Sequence, residues 1–62
     1  HSNGVEEYVF VVYGSVEMIV GDKRIILNEN QTLRFQADMF HAYNNPFNDS
    51  CVIYNMVFYP KV

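Results

Sequence analysis

The feature that most constrains the fold is a series of short runs rich in Val, Ile, Phe and Tyr, each ended by turn-forming residues. These runs recur about every eight to ten residues, and the sustained apolar spacing of three and four that is typical of a helix is absent. The pattern predicts an all-β chain, with Gly21-Asp22 as a two-residue type II′ hairpin turn. The predicted strands are Glu6–Tyr13, Val16–Val20, Lys23–Leu27, 32–35, His41–Asn44 and 51–59.

The first and last predicted strands are apolar on both faces. In the first, Val9 and Val11 alternate with Phe10 and Val12. One face can line the interior of a small barrel or sandwich, and the other then needs a cover from a further sheet or a second subunit. A chain of 62 residues is long enough for one small domain at most. Because half of its residues are hydrophobic, we expect it to be a fragment of a larger barrel, an oligomer, or both.

Charge and composition exclude several kinds of partner. Four Lys and Arg residues and a net charge of −3 leave too little positive charge to neutralise a row of phosphates, so this chain is not expected to bind DNA itself. No apolar run is long enough to cross a bilayer, and we expect no membrane partner. The single cysteine, Cys51, excludes an internal disulfide and fits a cytoplasmic location.

The candidate site lies at the start of the fifth predicted strand. Alternation along that strand puts His41, Tyr43 and Asn45 on one face. Glu7 shares its own strand face with apolar Val9, where a carboxylate is costly unless a histidine, a metal or a ligand cation compensates it. Two hypotheses follow for His41: a ligand or metal site with Glu7, or a plain hydrogen-bonded polar cluster in the barrel mouth.

The spacing of these residues resembles the two motifs of the cupin superfamily. Glu7 is followed by six residues and Gly14, as in the first motif, and His1 stands close to its histidine pair. His41, three residues and Asn45 match the end of the second motif. The sequence departs from that motif at Asn30, Gln36 and Asp38, where a glycine, a proline and a glycine are usual. The resemblance implies a small β-barrel of the double-stranded β-helix, or jelly-roll-like, kind, of which residues 1–62 are an incomplete fragment lacking the N-terminal part.

Within that superfamily the chain is most similar to the C-terminal sensor domains of XRE-type helix-turn-helix regulators. The resemblance implies a cytoplasmic homodimer that binds a small polar or anionic effector, with DNA contacted only through a helix-turn-helix domain absent from this chain. The alternatives are a metal-dependent oxygenase or isomerase, and a barrel that only dimerises. No catalytic residue is predicted. The predicted ligand-binding residues are Glu7, His41, Tyr43, Asn45 and Tyr54.

The resemblance also implies a divalent transition metal, Zn, Fe, Mn or Ni, as the one conceivable cofactor. Two imidazoles and a carboxylate suit such an ion. His1 stands at the chain terminus and is equally well explained as a remnant of an expression tag. The predicted metal ligands are His1, Glu7 and His41.

Overall fold

A computed structural model describes residues 4–60 of the protein, and these form six antiparallel β-strands. The all-β prediction is confirmed; the fourth strand is one residue longer than predicted at its end, and the sixth is one residue shorter at each end. The described residues contain no helix, and hence none of the length and hydropathy needed to span a membrane. The strands are β1 (Glu6–Tyr13), β2 (Val16–Val20), β3 (Lys23–Leu27), β4 (Thr32–Gln36), β5 (His41–Asn44) and β6 (Val52–Phe58).

The strands form two three-stranded sheets. Sheet 1 has the order β4-β1-β6 and sheet 2 the order β3-β2-β5. Only β2 and β3 are joined as a hairpin within one sheet, and the chain changes sheet after β1, β3, β4 and β5. The hairpin turn has the predicted geometry, because Gly21 has a φ of +61° and Asp22 a negative φ. The repeated change of sheet is the winding expected of a double-stranded β-helix.

The core lies between the two sheets and is supplied mainly by their central strands, β1 and β2. Val9, Val11 and Met18 have no exposed surface. Because side chains alternate along a strand, the residues two positions apart in each strand all face inward. The remaining buried members of the cluster are Val16, Val20, Leu27 and Phe35.

Gly14 separates β1 from β2 at a point where the backbone leaves no room for a side chain. Its φ is +80°, in the left-handed region that disfavours residues with a Cβ. A Cβ at this position would lie 2.6 Å from the carbonyl oxygen of Ser50. Gly14 therefore lets β1 turn towards sheet 2 directly against the segment that leads into β6.

We predict that Gly14→Ala lowers the free energy of unfolding by roughly 3 kcal/mol, since it adds both backbone strain and displacement of a neighbouring main chain. Urea denaturation of the natural chain that carries residues 1–62 measures this. Gly21→Ala is the matched control. Position 21 has a φ of +61°, so alanine there causes the same kind of backbone strain, but the added Cβ would meet only the flexible end of Met39, at 3.1 Å. We expect it to cost about 1 kcal/mol. Equal losses in the two variants would mean that the approach of Ser50 to Gly14 contributes nothing.

Candidate functional site

A histidine–carboxylate pair joins the two sheets at one end of the core. Glu7 lies on the inner face of β1 in sheet 1, and His41 is the first residue of β5 in sheet 2. The Nε2 atom of His41 lies 3.4 Å from Oε2 of Glu7. The side chains are 26% and 12% exposed, respectively. The structure therefore brings together Glu7 of the first motif and His41 of the second, although they are 34 positions apart in the sequence.

The surroundings of Glu7 are largely apolar. In sheet 1 it is paired with Phe35 of β4 on one side and Val57 of β6 on the other. Val9, the next residue on the same face of β1, is completely buried. A carboxylate at such a position loses much of its hydration, so a nearby donor or cation is needed to stabilise it. Among residues 4–60, the ionisable partner within ion-pair distance is His41.

The imidazole of His41 is held in one orientation by its neighbours. Its Nδ1 lies 2.8 Å from the carbonyl oxygen of Met39, so Nδ1 must carry a proton and donate it. Its ring lies against that of Phe35, with centroids 5.0 Å apart and a tilt of 53°. Nε2 then faces the Glu7 carboxylate either as a donor, in the imidazolium form, or with its lone pair. The lone-pair form leaves two electron-rich atoms facing the same space, which is the arrangement that a bound cation or a ligand proton satisfies.

Tyr43 and Asn55 make a second connection between the sheets beside this pair. Asn55 of β6 donates from Nδ2 to the Tyr43 hydroxyl oxygen at 2.7 Å. Partial burial raises the pKa of the Tyr43 phenol, and the negative charge of Glu7 raises it further. Tyr43 therefore keeps its hydroxyl proton at neutral pH. Because its oxygen already accepts from Asn55, that proton remains available for donation to a ligand.

Two predicted ligand-binding residues are not brought to the pair. Asn45 follows β5 and uses both ends of its amide in the next loop: Nδ2 donates to the Asp49 carbonyl at 2.9 Å, and Oδ1 accepts from the Phe47 amide at 3.1 Å. Tyr54 lies opposite Phe10 on the outer face of sheet 1 and is 72% exposed. The cluster on the inner face thus consists of Glu7, His41, Tyr43 and Asn55.

Asn55 was missed by the sequence analysis although a signal for it exists. It lies on the inner face of β6 between Ile53 and Val57, so it is the one amide in an apolar alternation. A polar residue that interrupts an apolar alternation is expected to hydrogen-bond a group on the facing sheet. Alternation likewise identified Glu7, although Asn55 is exposed in the structure and Glu7 is largely buried.

The spacing of Glu7 and His41 fits two ligands of one metal ion. Zinc–nitrogen and zinc–oxygen bonds of about 2.1 Å at a tetrahedral angle place the two donor atoms about 3.4 Å apart. Oε2 and Nε2 are 3.4 Å apart. Within residues 4–60, however, no group of three or more His, Cys, Asp or Glu side chains converges. The predicted third ligand, His1, lies outside the described residues, and the described residues form no enclosed cavity around the pair.

Comparison with known proteins agrees with this architecture. A two-sheet all-β sandwich with a histidine and a glutamate meeting between its sheets is the arrangement expected of a small cupin barrel. The sequence matches the Cupin domain family over residues 1–58, and the chain therefore belongs to that family.

A curated relative extends the comparison. The chain is 31% identical over 61 residues to the HTH-type transcriptional regulator SutR of Escherichia coli (strain K12). The alignment covers 98% of this chain and 34% of the relative, so the chain spans about a third of that protein's length. No solved structure matches the chain significantly.

We predict that Glu7→Gln lowers the pKa of Tyr43 towards its ordinary value, because the substitution removes the negative charge that disfavours the phenolate. The return is incomplete, since the burial of Tyr43 persists. NMR titration of ring-labelled tyrosine measures the change. Glu6→Gln is the matched control: Glu6 precedes Glu7 in β1 and faces the opposite side of the sheet. An unchanged Tyr43 titration in Glu7→Gln would show that the carboxylate does not act on the phenol.

Proposed function

We propose that this chain is the effector-sensing and dimerising domain of a bacterial transcriptional regulator, acting in the cytoplasm. The relative named HTH-type transcriptional regulator supports the regulatory role. The net charge of −3 supports a protein in which a separate helix-turn-helix domain, and not this chain, contacts DNA. The observation that carries the proposal is the Glu7–His41 pair, which is shared between the two sheets at the edge of an apolar core.

The chemistry of the cluster supports a small polar metabolite as the effector. Glu7 offers acceptor oxygens, Tyr43 offers a hydroxyl proton, and His41 offers either a donor or an acceptor at Nε2. Phe35 and Val57 flank these groups with apolar surface. A few convergent polar groups against apolar walls are typical of small-molecule sites. The β5–β6 side, where Tyr43 and Val57 are partly exposed, is the proposed route of entry.

The position of the cluster between the sheets supports a sensing mechanism. A ligand that bridges Glu7 and His41 contacts both sheets, so its affinity depends on their separation. A ligand shifts a conformational equilibrium only by the difference in its affinity for the two states. The affinity of an effector held by one sheet alone would not depend on the separation of the sheets, so its binding would not shift their relative position.

We predict that His41→Ala abolishes effector binding but leaves the barrel folded. The side chain is at the edge of the core, so we expect a loss of only about 1–2 kcal/mol of stability from leaving Glu7 without its partner. Native mass spectrometry of the full natural chain, purified without a histidine tag, would detect a small molecule that accompanies the wild-type protein and is missing from the variant.

Asn44→Ala is the control for this experiment. Asn44 neighbours Tyr43 in β5 but bonds Glu17 on the outer face of sheet 2, with Nδ2 3.0 Å from Oε1. It should retain the effector. If His41→Ala retained the same small molecule at wild-type stoichiometry, the cluster would not be its site. A cooperative loss of fold in His41→Ala would assign His41 a structural role instead.

The second candidate function is a metal-dependent cupin enzyme, such as an oxygenase or isomerase. The 3.4 Å spacing of Oε2 and Nε2 favours it, because that spacing suits two donors on one tetrahedral ion. Glu7 and His41 would hold the metal, with His1 as a proposed further ligand. Such an ion would supply Lewis acidity. Met39, through its carbonyl, would keep the His41 lone pair directed at the ion.

Elemental mass spectrometry separates the two functions. For the enzyme we expect about one equivalent of Zn, Fe, Mn or Ni per chain, lost in both Glu7→Ala and His41→Ala, because two donors are needed to retain the ion. For the sensor we expect the effector without stoichiometric metal. Metal that survives in both variants would place the ion elsewhere in the protein.

A further inference from the structure

The outer face of sheet 1 carries the largest group of exposed apolar side chains in residues 4–60. Tyr54, Met56 and Phe58 of β6 are 72%, 63% and 57% exposed. In β1, Phe10 lies opposite Tyr54 and Tyr8 lies opposite Met56, on the same face. With about 200 Å² for each large side chain, the three β6 residues alone expose roughly 400 Å², which is comparable to the largest apolar patch of a typical monomer, a patch that is often functional.

The same face carries one acid and one base that are complementary to each other. Glu6 lies opposite Phe58 and Gln36, and Arg34 of β4 lies opposite Tyr8. Within residues 4–60, neither Glu6 nor Arg34 has an oppositely charged group in ion-pair range, since the ion pairs there are Arg24–Glu17 and His41–Glu7. Glu6 does accept a hydrogen bond from the Tyr8 hydroxyl, at 3.5 Å. Among residues 4–60 the face thus has one charge of each sign outside any ion pair, and such a face is electrostatically complementary to a copy of itself.

The outer face of sheet 2 differs in both respects. Its acid and base are already paired, with Arg24 Nη1 3.4 Å from Glu17 Oε2, and Asn44 also donates to Glu17. These interactions lower the pKa of Glu17 below its ordinary value, the hydrogen bond from Asn44 being the largest cause. The large exposed hydrophobic side chain of this face is Ile26, at 46%. Sheet 2 therefore satisfies its own charges and presents little apolar surface.

We propose that the outer face of sheet 1 is the surface on which a second copy of this chain docks, with Glu6 of each copy paired to Arg34 of the other. This inference rests on the dimeric state included in the proposed function and assigns it to a face. A two-fold axis in the interface that bisects the line between Glu6 and Arg34 crosses the face over Tyr8 and Met56. It also brings Phe58 of one copy over Phe10 of the other.

The apolar area is adequate for such a contact. A standard interface buries about 800 Å² on each partner. The exposed parts of Tyr54, Met56 and Phe58 supply roughly half of that. The half-buried Tyr8 and Phe10 and the polar rim of Glu6, Arg34 and Gln36 supply more. The aromatic centre and charged rim are the usual anatomy of a specific interface.

The first test places a charge at the centre of the proposed contact. Met56→Glu puts two carboxylates beside the two-fold axis, and we expect it to weaken dimerisation at least 100-fold in sedimentation equilibrium of the full natural chain. Ile26→Glu puts the same charge on the comparably exposed outer face of sheet 2 and should leave the dimer unchanged. Because both side chains are exposed, thermal unfolding should show both variants folded.

The second test distinguishes a contact between chains from one within a chain. Glu6→Arg and Arg34→Glu each place like charges together in a homodimer, and we expect each to weaken dimerisation about tenfold. A mixture of the two variants restores both pairs in the heterodimer, so heterodimers should form in preference to either homodimer. Native mass spectrometry of isotopically labelled chains would count the three species.

The outcomes are distinct from those for the effector site. A wild-type dimer that is unaffected by Met56→Glu, or a statistical mixture of the two charge variants, would overturn the assignment of the face while leaving dimerisation intact. A wild-type protein that is monomeric at all concentrations would overturn both the face and the dimeric state. The effector site itself is tested separately, through His41→Ala.

Discussion

The structure depends on the close contact between the inner faces of β1 and β2, the central strands of the two sheets. Val9 and Val11 meet Met18 there without any exposed surface. The other buried members of this core come from β2, β3 and β4, and no residue of β5 or β6 is buried. A sandwich with so small a core is stabilised mainly along its central strands, so its outer strands are free to carry polar groups.

Glu7 and His41 occupy the next inward-facing positions at one end of this core, where the apolar side chains stop. Glu7 occupies the inward position that precedes Val9 in β1, and His41 the position opposite Val20 at the start of β5. A hydrophobic pair at these positions would fill the same space without the cost of removing charge from water. The carbonyl of Met39 and the ring of Phe35 hold His41 against Glu7, so the surrounding structure is built to maintain the polar pair. That arrangement favours a binding role over simple packing.

Strand alternation made most of the fold and part of the site predictable. It gave the bounds of β1, β2, β3 and β5 and the shared face of His41 and Tyr43, because these depend only on neighbours in sequence. Asn45 could not be resolved in this way, since β5 ends at Asn44 and the loop hydrogen bonds of Asn45 decide its orientation. The meeting of Glu7 with His41 depends on the pairing of distant strands, which alternation does not encode. The resemblance to a known family supplied that relation, and Asn55, which is outside the family's motifs, was missed.

The two faces of β1 link the proposed effector site with the proposed dimer face. Glu7 points between the sheets, and its neighbours Glu6 and Tyr8 point outward, where they lie opposite Phe58 and Met56. Because adjacent residues of one strand move together, a shift of β1 that changes the distance from Glu7 to His41 also displaces Glu6 and Tyr8. Close-packed interiors transmit such displacements with little loss. A ligand bound by Glu7 in the proposed site would therefore act directly on the surface formed by the other side of this strand, with no intermediate element required.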